Sequence, residues 1–187
     1  MVIDAGTGDG HRILRLARQN PQTLYVGVDS DTAAMAEAAR RASAKPSRGG
    51  CSNALFVASG VDAWPVEAFG VAALVTVEFP WGSLLRGVLG EESPILDGLA
   101  GMLGDDGRLE VTLSVVERDR VAMPGETELV RAYRASGLDV VESRPATAEE
   151  VGVLGSTWAR RLAAGRQRPV WRVSAIRTPA VAESLRC

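Results

Sequence analysis

The chain has 187 residues, of which 46% are hydrophobic and 24% are charged, and its formal net charge is −2. A chain of this length forms one domain that buries about two-thirds of its unfolded surface. No apolar run approaches the roughly 20 residues that span a bilayer, and no secretory leader is expected, so the composition excludes a membrane protein. Cys51 and Cys187 have neither metal-ligand nor disulfide spacing, which indicates free thiols in a reducing cytoplasm.

The predicted elements alternate between strands and helices along the whole chain. Strands are predicted at residues 2–5, 23–28, 54–58, 71–77, 108–114, 139–143 and 170–176, and residues 104–107 are predicted to form a turn. Helices are predicted at residues 11–19, 32–44, 83–89, 94–103, 126–136 and 148–165, the last with a break at Gly155. This alternation predicts an α/β fold, a single Rossmann-like domain over residues 1–187. Its seven-stranded, mostly parallel sheet has helices on both faces.

The first strand runs directly into a loop with glycine at every second position, Asp4-Ala5-Gly6-Thr7-Gly8-Asp9-Gly10. Glycine lets the backbone turn sharply and lets a ligand approach the main chain. Because a helix follows, the loop is typical of the first turn of a nucleotide-binding βαβ unit. Its spacing differs from the G-x-G-x-x-G of dinucleotide-binding loops, and the sequence has no G-x-x-x-x-G-K-[ST] phosphate-binding motif.

Two acidic residues follow the next two predicted strands. Asp29 ends the second strand, where a carboxylate accepts ribose hydroxyls and repels a 2′-phosphate. Asp62 follows the third strand, at a position suited to the amino group of adenine. With the glycine loop, this arrangement resembles the S-adenosylmethionine-dependent methyltransferases. The alternative is a βαβ unit with a glycine turn and no ligand.

The residues after the fourth strand narrow the chemistry of the methyl acceptor. Glu78-Phe79-Pro80-Trp81 lacks the N/D-P-P-Y/F motif of methyltransferases that act on exocyclic amines. The sequence places no cysteine there as a nucleophile, and the only histidine, His11, is expected to be a solvated helix residue. What remains is an acceptor whose own lone pair attacks the methyl group, such as a ring nitrogen, which needs positioning and no general base.

Two tryptophans are candidates for holding a base. Trp81 follows the fourth strand at the edge where ligands bind in such folds, and Trp158 lies between the last two predicted strands. Two aromatic faces can hold a base taken out of its stack, at about 1–3 kcal/mol each. The alternative, a core position, is favoured for each of them taken alone, and Trp64 and Trp171 are core candidates as well.

Positive charge is concentrated in two segments without acidic residues. Residues 38–61 contain Arg40, Arg41, Lys45 and Arg48, and residues 151–182 contain Arg160, Arg161, Arg166, Arg168, Arg172 and Arg177. Such clusters on a mildly acidic body predict a footprint for a polyanion, although runs of charge also occur on solvated faces.

Four stretches, residues 4–10, 45–50, 79–85 and 156–162, resemble the aminoglycoside-resistance 16S rRNA methyltransferases. That family methylates adenine 1408 of the decoding site at N1, and the similarity extends over nearly the whole chain. The resemblance implies S-adenosylmethionine as the cofactor and S-adenosylhomocysteine as the product. It implies the 30S subunit and its 16S rRNA decoding region as partners of a cytoplasmic enzyme. We expect a monomer with no membrane partner and no metal.

The resemblance also implies roles for individual residues. Cofactor binding is expected from Asp4, Gly6, Thr7, Gly8, Asp29, Val61, Asp62, Glu78 and Ser83. The flipped adenine is expected between Trp81 and Trp158, with Phe79 and Ser156 completing the catalytic site. RNA contacts are expected from Arg40, Arg41, Lys45, Arg48, Arg161, Arg166 and Arg168, together with either Arg118 or Arg120.

The chain also departs from the family pattern. Asp62 stands where the family often has glutamate. Members carry a further segment before the first strand, and that segment is expected to be missing here. Two other functions stay open at the level of sequence. One is a methyltransferase acting on a small molecule, for example in antibiotic biosynthesis, and the other is a non-catalytic nucleotide-binding module.

Overall fold

The computed structural model describes residues 1–91, 93–154 and 168–179. These residues contain the strands β1 (Val2–Ala5), β2 (Tyr25–Asp29), β3 (Ala54–Ala58), β4 (Ala72–Glu78), β5 (Leu103–Leu113), β6 (Leu138–Pro145) and β7 (Trp171–Arg177). The strands form one sheet in the order β3-β2-β1-β4-β5-β7-β6. Strands β1 to β5 are parallel, and β7 lies antiparallel between β5 and β6.

Helices cover both faces of this sheet. They are α1 (His11–Gln19), α2 (Thr32–Ala42), α3 (Gly82–Val88), α4 (Ser93–Met102), α5 (Glu126–Ala135) and α6 (Ala148–Leu154). One buried cluster joins α1 and α2 to the sheet through Ile13 and Ala38. The larger cluster joins α3, α4 and α5 to it through Leu85, Leu96 and Tyr133. The predicted α/β architecture, with a mostly parallel seven-stranded sheet, is confirmed.

Alternation along the strands decides which side chains face α1. In β1, Ile3 and Ala5 belong to the larger cluster, while Val2 packs against the smaller one. Asp4 lies on the same side as Val2, because side chains alternate along a strand, and it is only 3% exposed. A buried carboxylate needs hydrogen-bonding partners, and those of Asp4 lie under the glycine loop.

Most element bounds agree with the prediction to within two residues, but the start of β5 does not. β5 begins at Leu103 instead of 108, because Leu103 pairs with Ala72 at the start of β4. The predicted turn at residues 104–107 is therefore an irregularity within the strand, where Asp106 has a φ of 59°. The helix predicted over 148–165 is described as far as Leu154, and its predicted break at Gly155 lies outside the described residues.

The structure gives the burial of several other side chains that the sequence analysis named. Trp64 and Trp171 are partly buried and pack against the larger core cluster. His11 is exposed at the start of α1, as predicted. Cys51 is a buried free thiol, and Cys187 lies outside the described residues. Within the ranges that the structure describes, we find no helix with the length and apolarity needed to cross a membrane.

Candidate active site

The glycine loop after β1 forms a backbone cradle with one packed side and one open side. Gly6 and Gly8 have φ values of +73° and +59°, which favour glycine. A Cβ atom on Gly6 would lie 2.5 Å from Leu84 Cδ2, so the loop packs directly on α3. A Cβ atom on Gly8 would meet nothing within 4 Å. The open side of the loop therefore offers main-chain groups to a ligand.

Two carboxylates tie this loop to the ends of β1 and β2. The Gly8 N–H donates to Asp29 Oδ2 at 2.8 Å, and the Asp31 N–H donates to Asp29 Oδ1 at 2.9 Å. Thr7 Oγ1 donates to Asp4 Oδ2 at 2.9 Å. Each carboxylate oxygen has two lone pairs, so Asp29 retains the capacity to accept ligand hydroxyls. The structure thus brings together four residues predicted from the sequence.

Beneath the loop, Arg12 joins the acidic side chains of β1 and β4. Its Nη1 lies 3.1 Å from Asp4 Oδ1, and its Nε lies 2.7 Å from Glu78 Oε1. Thr76 Oγ1 donates to Asp4 Oδ1 at 2.7 Å. The side chains of Arg12, Asp4 and Glu78 are 14%, 5% and 7% exposed. These three groups carry two negative charges and one positive charge, so the cradle stands over an excess of negative charge.

The sequence motifs did not identify Arg12 or Thr76. Thr76 lies 72 positions from Asp4 in the chain, and only the pairing of β1 with β4 makes them neighbours. Arg12 nevertheless has a signal in the sequence. A carboxylate inside an apolar strand requires a compensating partner, and Arg12 is the arginine nearest to Asp4 in the sequence.

The other predicted cofactor residues lie at the same edge of the sheet. Asp62 is exposed in a short 3-10 turn, Val61–Ala63, and Ser83 is exposed in the first turn of α3. Val61 is 6% exposed and belongs to the larger core cluster. The side chains of Asp62 and Ser83 are therefore exposed at this edge, whereas the side chain of Val61 is used in core packing.

The turn after β4 contains a strained residue. Phe79 has a φ of 49°, a left-handed backbone conformation that costs a non-glycine residue about 1–2 kcal/mol. Its N–H donates to the carbonyl of Thr112 at 2.7 Å. Its side chain is 9% exposed and packs with Val151 and Val170. Such strain persists only where surrounding contacts hold it, and it is common at functional sites.

Trp81 is exposed beside this turn. Its side chain is 78% exposed, so the expectation of a core position is wrong for this tryptophan. The physical reason is that the chain returns to an extended conformation at Trp81 and caps α3, which leaves the indole outside the core. It lines a groove, here called the Trp81 groove, with Phe79, Pro80, Ser114, Val116, Arg118, Asp119 and Arg168. Of the two arginines considered, Arg118 lines this groove and Arg120 does not.

The first basic segment forms an exposed surface on α2 and the turn after it. Arg40 and Arg41 each pair with Glu37 at 2.7 Å. The hydrogen bonds from both arginines lower the pKa of Glu37, and the bond from Arg40 has the larger effect. Lys45 and Arg48 are exposed. Ion pairs between exposed side chains are weak, so both arginines can exchange Glu37 for a phosphate.

The second basic segment divides into two groups. Arg172 pairs with Glu110 at 2.8 Å, and Arg177 donates to main-chain carbonyls of Ala100 and Leu103. The charge pattern predicts a polyanion footprint for the whole segment, but Arg172 is paired with glutamates of the sheet and Arg177 joins the sheet to α4. Arg168 lies in the Trp81 groove. The predicted site residues outside the described ranges are Ser156, Trp158, Arg161 and Arg166.

Comparison with known proteins points to one family. The family described as NpmA, 16S rRNA (adenine(1408)-N(1))-methyltransferase, matches residues 1–177. The 16S rRNA (adenine(1408)-N(1))-methyltransferase of Streptoalloteichus hindustanus is 36% identical over 179 residues, which cover 90% of this chain and 82% of that relative. The enzyme of the same name from Escherichia coli is 31% identical over 185 residues, with coverages of 92% and 84%.

Solved structures agree with this result. A variant of the 16S rRNA (adenine(1408)-N(1))-methyltransferase from Catenulisporales acidiphilia, solved with its cosubstrate SAM, superposes with a TM-score of 0.84 at 32% identity. The match covers 95% of this chain and 85% of that one. The 16S rRNA methyltransferase KamB superposes with a TM-score of 0.83 at 33% identity, with coverages of 95% and 87%. The chain therefore belongs to the family of 16S rRNA (adenine(1408)-N(1))-methyltransferases.

Proposed function

We propose that this protein transfers a methyl group from S-adenosylmethionine to N1 of adenine 1408 in the 16S rRNA of the 30S subunit, and so confers aminoglycoside resistance. Relatives at 31–36% identity are named for this reaction. The observation that carries the proposal is the exposed Trp81 two residues after a strained turn, at the same sheet edge as the open glycine cradle. The glycine cradle suits a methyl donor, and the exposed indole of Trp81 suits a base.

The residues of the cradle fit S-adenosylmethionine. The open side of Gly8 lets a ligand approach the main chain, and Asp29 accepts from hydroxyls of a ribose. The exposed Asp62 is proposed to accept from the adenine amino group. The sulfonium and ammonium groups of the cofactor are both cationic, which suits the excess negative charge around Arg12. When bound, the cofactor supplies an electrophilic methyl group.

The proposed acceptor reaction needs orientation and no general base. The N1 lone pair of adenine forms a bond to the methyl carbon while the carbon–sulfur bond breaks, and its electrons stay on sulfur. The products are S-adenosylhomocysteine and a cationic 1-methyladenine. Trp81 offers one aromatic wall, and its indole face attracts the positive charge of the product. Trp158 is proposed as the opposite wall for the flipped base, with Phe79 and Ser156 completing the site.

The proposed rRNA surface extends from the Trp81 groove to α2. Arg118 and Arg168 line the groove, which places two cations beside the proposed base site. The exposed basic side chains on and after α2 form a second patch, composed of Arg40, Arg41, Lys45 and Arg48. Arg161 and Arg166 are proposed to contact RNA from the segment that carries Trp158. We further propose that the protein acts as a monomer in the cytoplasm.

Primer extension on 30S subunits tests the proposed function. Methylation at N1 blocks Watson–Crick pairing, so reverse transcriptase should stop at adenine 1408 only after incubation with both the protein and S-adenosylmethionine. Calorimetry with S-adenosylmethionine runs in parallel. Binding without a stop at this adenine would contradict the proposal and favour a nucleotide-binding module. Transfer of the methyl group to a small molecule in place of 30S subunits would contradict it as well.

Replacing Trp81 tests the proposed stacking. We expect Trp81→Ala to lower kcat/KM on 30S subunits by about 10- to 100-fold, because one stacking face contributes about 1–3 kcal/mol. Trp81→Phe keeps an aromatic face and should retain most of the activity. The Kd for S-adenosylmethionine should change by less than about threefold in both variants. Wild-type kcat/KM in Trp81→Ala would refute the stacking. Trp158→Ala should give the same result as Trp81→Ala, whereas unfolding of Trp158→Ala would favour a core role.

A further inference from the structure

Side-chain hydrogen bonds hold the described part of α6, Ala148–Leu154, at its start and at Leu154. At its start, the Thr147 N–H donates to Glu150 Oε2 at 2.8 Å, and the Glu150 N–H donates to Thr147 Oγ1 at 3.2 Å. This reciprocal pair is a capping box. At Leu154, the main-chain carbonyl accepts a hydrogen bond from Arg15 Nη2 at 2.9 Å.

Glu150 also fixes α6 to the antiparallel end of the sheet. Arg144 of β6 donates to both carboxylate oxygens of Glu150, at 2.6 and 2.8 Å, and Arg172 of β7 donates at 3.3 Å. These bonds, above all the one from Arg144, hold the pKa of Glu150 well below its ordinary value. Arg144 also pairs with Glu142, and Arg172 pairs with Glu110. Both arginines are therefore oriented by the sheet before they reach α6.

The residue after Glu150 connects α6 to the turn that follows β4. Val151 is 9% exposed and packs with Phe79 and Val170. Phe79 has a left-handed backbone, and such strain persists only where surrounding contacts, here this packing and the hydrogen bond to Thr112, hold it. Trp81 follows Phe79 by two residues, so a displacement of α6 changes the support of the indole. A continuous set of described contacts thus runs from the charged pair to the Trp81 groove.

We infer that Glu150 is a positioning residue for the methyl acceptor. Its bidentate pair with Arg144 fixes α6, and α6 fixes Trp81 through Val151 and Phe79. Glu150 acts through these neighbours and not on the reacting atoms. The structural part of the inference rests on the contacts described above, and its catalytic part rests on the proposed function.

Fluorine NMR of the full chain labelled with fluorotryptophan tests the structural part. The Trp81 signal is identified by its loss in Trp81→Phe. Glu150→Gln keeps the size of the side chain but removes its charge and one acceptor oxygen. We expect this change to shift or broaden the Trp81 signal. Glu149→Gln, at the exposed preceding position, is the matched control and should leave the signal unchanged. An unchanged Trp81 signal in Glu150→Gln would overturn the inference.

Kinetics on 30S subunits test the catalytic part. A misplacement of about 1 Å can cost about 100-fold in rate, so we expect kcat/KM of Glu150→Gln to fall by at least about tenfold. The Kd for S-adenosylmethionine should stay within about twofold of the wild type, and Glu149→Gln should keep both values. A wild-type kcat/KM, or a loss matched by weaker cofactor binding, would overturn the positioning role.

Arg144→Lys serves if Glu150→Gln does not fold, because lysine keeps the charge and loses the bidentate geometry. We expect it to move the Trp81 signal and lower kcat/KM in the same direction, and wild-type values for both would overturn the inference. If the wild-type protein does not methylate 30S subunits, the proposed function fails. The NMR comparison then still decides whether Glu150 positions Trp81.

Discussion

Arg12 faces both carboxylates buried under the glycine loop, Asp4 and Glu78. Its removal leaves two acidic groups in a region almost closed to water. We expect Arg12→Met to lower the free energy of unfolding by about 3–5 kcal/mol, the usual cost of breaking a buried ion pair on one side. Urea denaturation followed by circular dichroism measures this loss.

Arg18→Met is the control for this prediction. Arg18 lies on the same helix but is exposed, and it donates to the carbonyl of Gly49 at 3.0 Å. We expect its replacement to change the free energy of unfolding by less than about 1 kcal/mol. Equal losses in Arg12→Met and Arg18→Met would show that the buried charges contribute no more than a surface contact.

For individual residues, the sequence predicts the position well where local backbone geometry determines it. Gly8 and Asp29 could be predicted as neighbours because each ends or follows a parallel strand at one sheet edge, and a hydrogen bond of 2.8 Å joins them. Taken alone, Trp81 is predicted to be a core residue, and its exposure follows from the family resemblance and not from local pattern, because it depends on the left-handed turn at Phe79. The side chain of Phe79 packs with Val151, which lies 72 positions further along the chain.

Among the elements, α6 has a sequence signal for its start. Thr147 and Glu150 have the spacing of a capping box, which marks the first turn of a helix. The ion pairs of Glu150 have no such signal in the sequence, because Arg144 and Arg172 come close to Glu150 only when β6 and β7 pair. Charge runs in a sequence do not show which arginines an antiparallel pairing will place against glutamates.

The ion pairs of α6 predict a pH dependence of stability. The pKa of Glu150 is lowered in the folded protein relative to its ordinary value of 4.5. Stabilisation from a group of this kind is fully present above the ordinary value and is lost as the pH falls towards the folded value. We therefore expect the wild type to be more stable than Glu150→Gln at about pH 7, and this difference to shrink below about pH 4.5.

Urea midpoints of both proteins across this pH range measure the effect. Glu149→Gln is the control, and its urea midpoint should change with pH in the same way as that of the wild type. A difference between Glu150→Gln and the wild type that stays constant from neutral to acid pH would show that the charge of Glu150 does not stabilise the fold. A difference that grows in acid would contradict the sign of the prediction.

For the whole molecule, the separation of charge matters more than the net value of −2. If rRNA is the substrate, replacing Arg40 and Lys45 together by glutamine should weaken binding to 30S subunits. The salt dependence should also become shallower by roughly one counterion for each phosphate that the variant no longer binds. Filter binding at several salt concentrations gives both quantities. The Kd for S-adenosylmethionine should not change.

Arg131→Gln is the control for this electrostatic prediction. Arg131 is exposed on α5, which packs on β6, whereas α2 packs on β3 at the opposite edge of the sheet. Its replacement should leave the salt dependence of 30S binding unchanged. An equal effect of both changes would indicate that net charge alone governs binding, and that the patch on α2 is not a specific contact surface.

The overall architecture could be predicted because it is set by patterns that repeat along the chain. Alternating apolar strands and helices indicated the sheet, and β3 was placed at its observed bounds, Ala54–Ala58. The irregular start of β5 could not be predicted. Leu103 and Ala72 pair across it only because the intervening residues fold back as α3 and α4. The residues 104–107 have turn chemistry in isolation, and tertiary pairing overrides it.

The antiparallel placement of β7 beside β6 has a consequence for how this family can diverge. Pro145 pairs with Trp171, so the chain leaves the sheet and returns to it at neighbouring positions. For a connection between two fixed, adjacent points, each doubling of length costs only about 0.6 kcal/mol in loop entropy. Insertions between Pro145 and Trp171 that keep the contacts of α6 are therefore expected to leave the register of the sheet intact. Under the proposed function, acceptor preference can evolve in this connection while the glycine cradle after β1 is inherited unchanged.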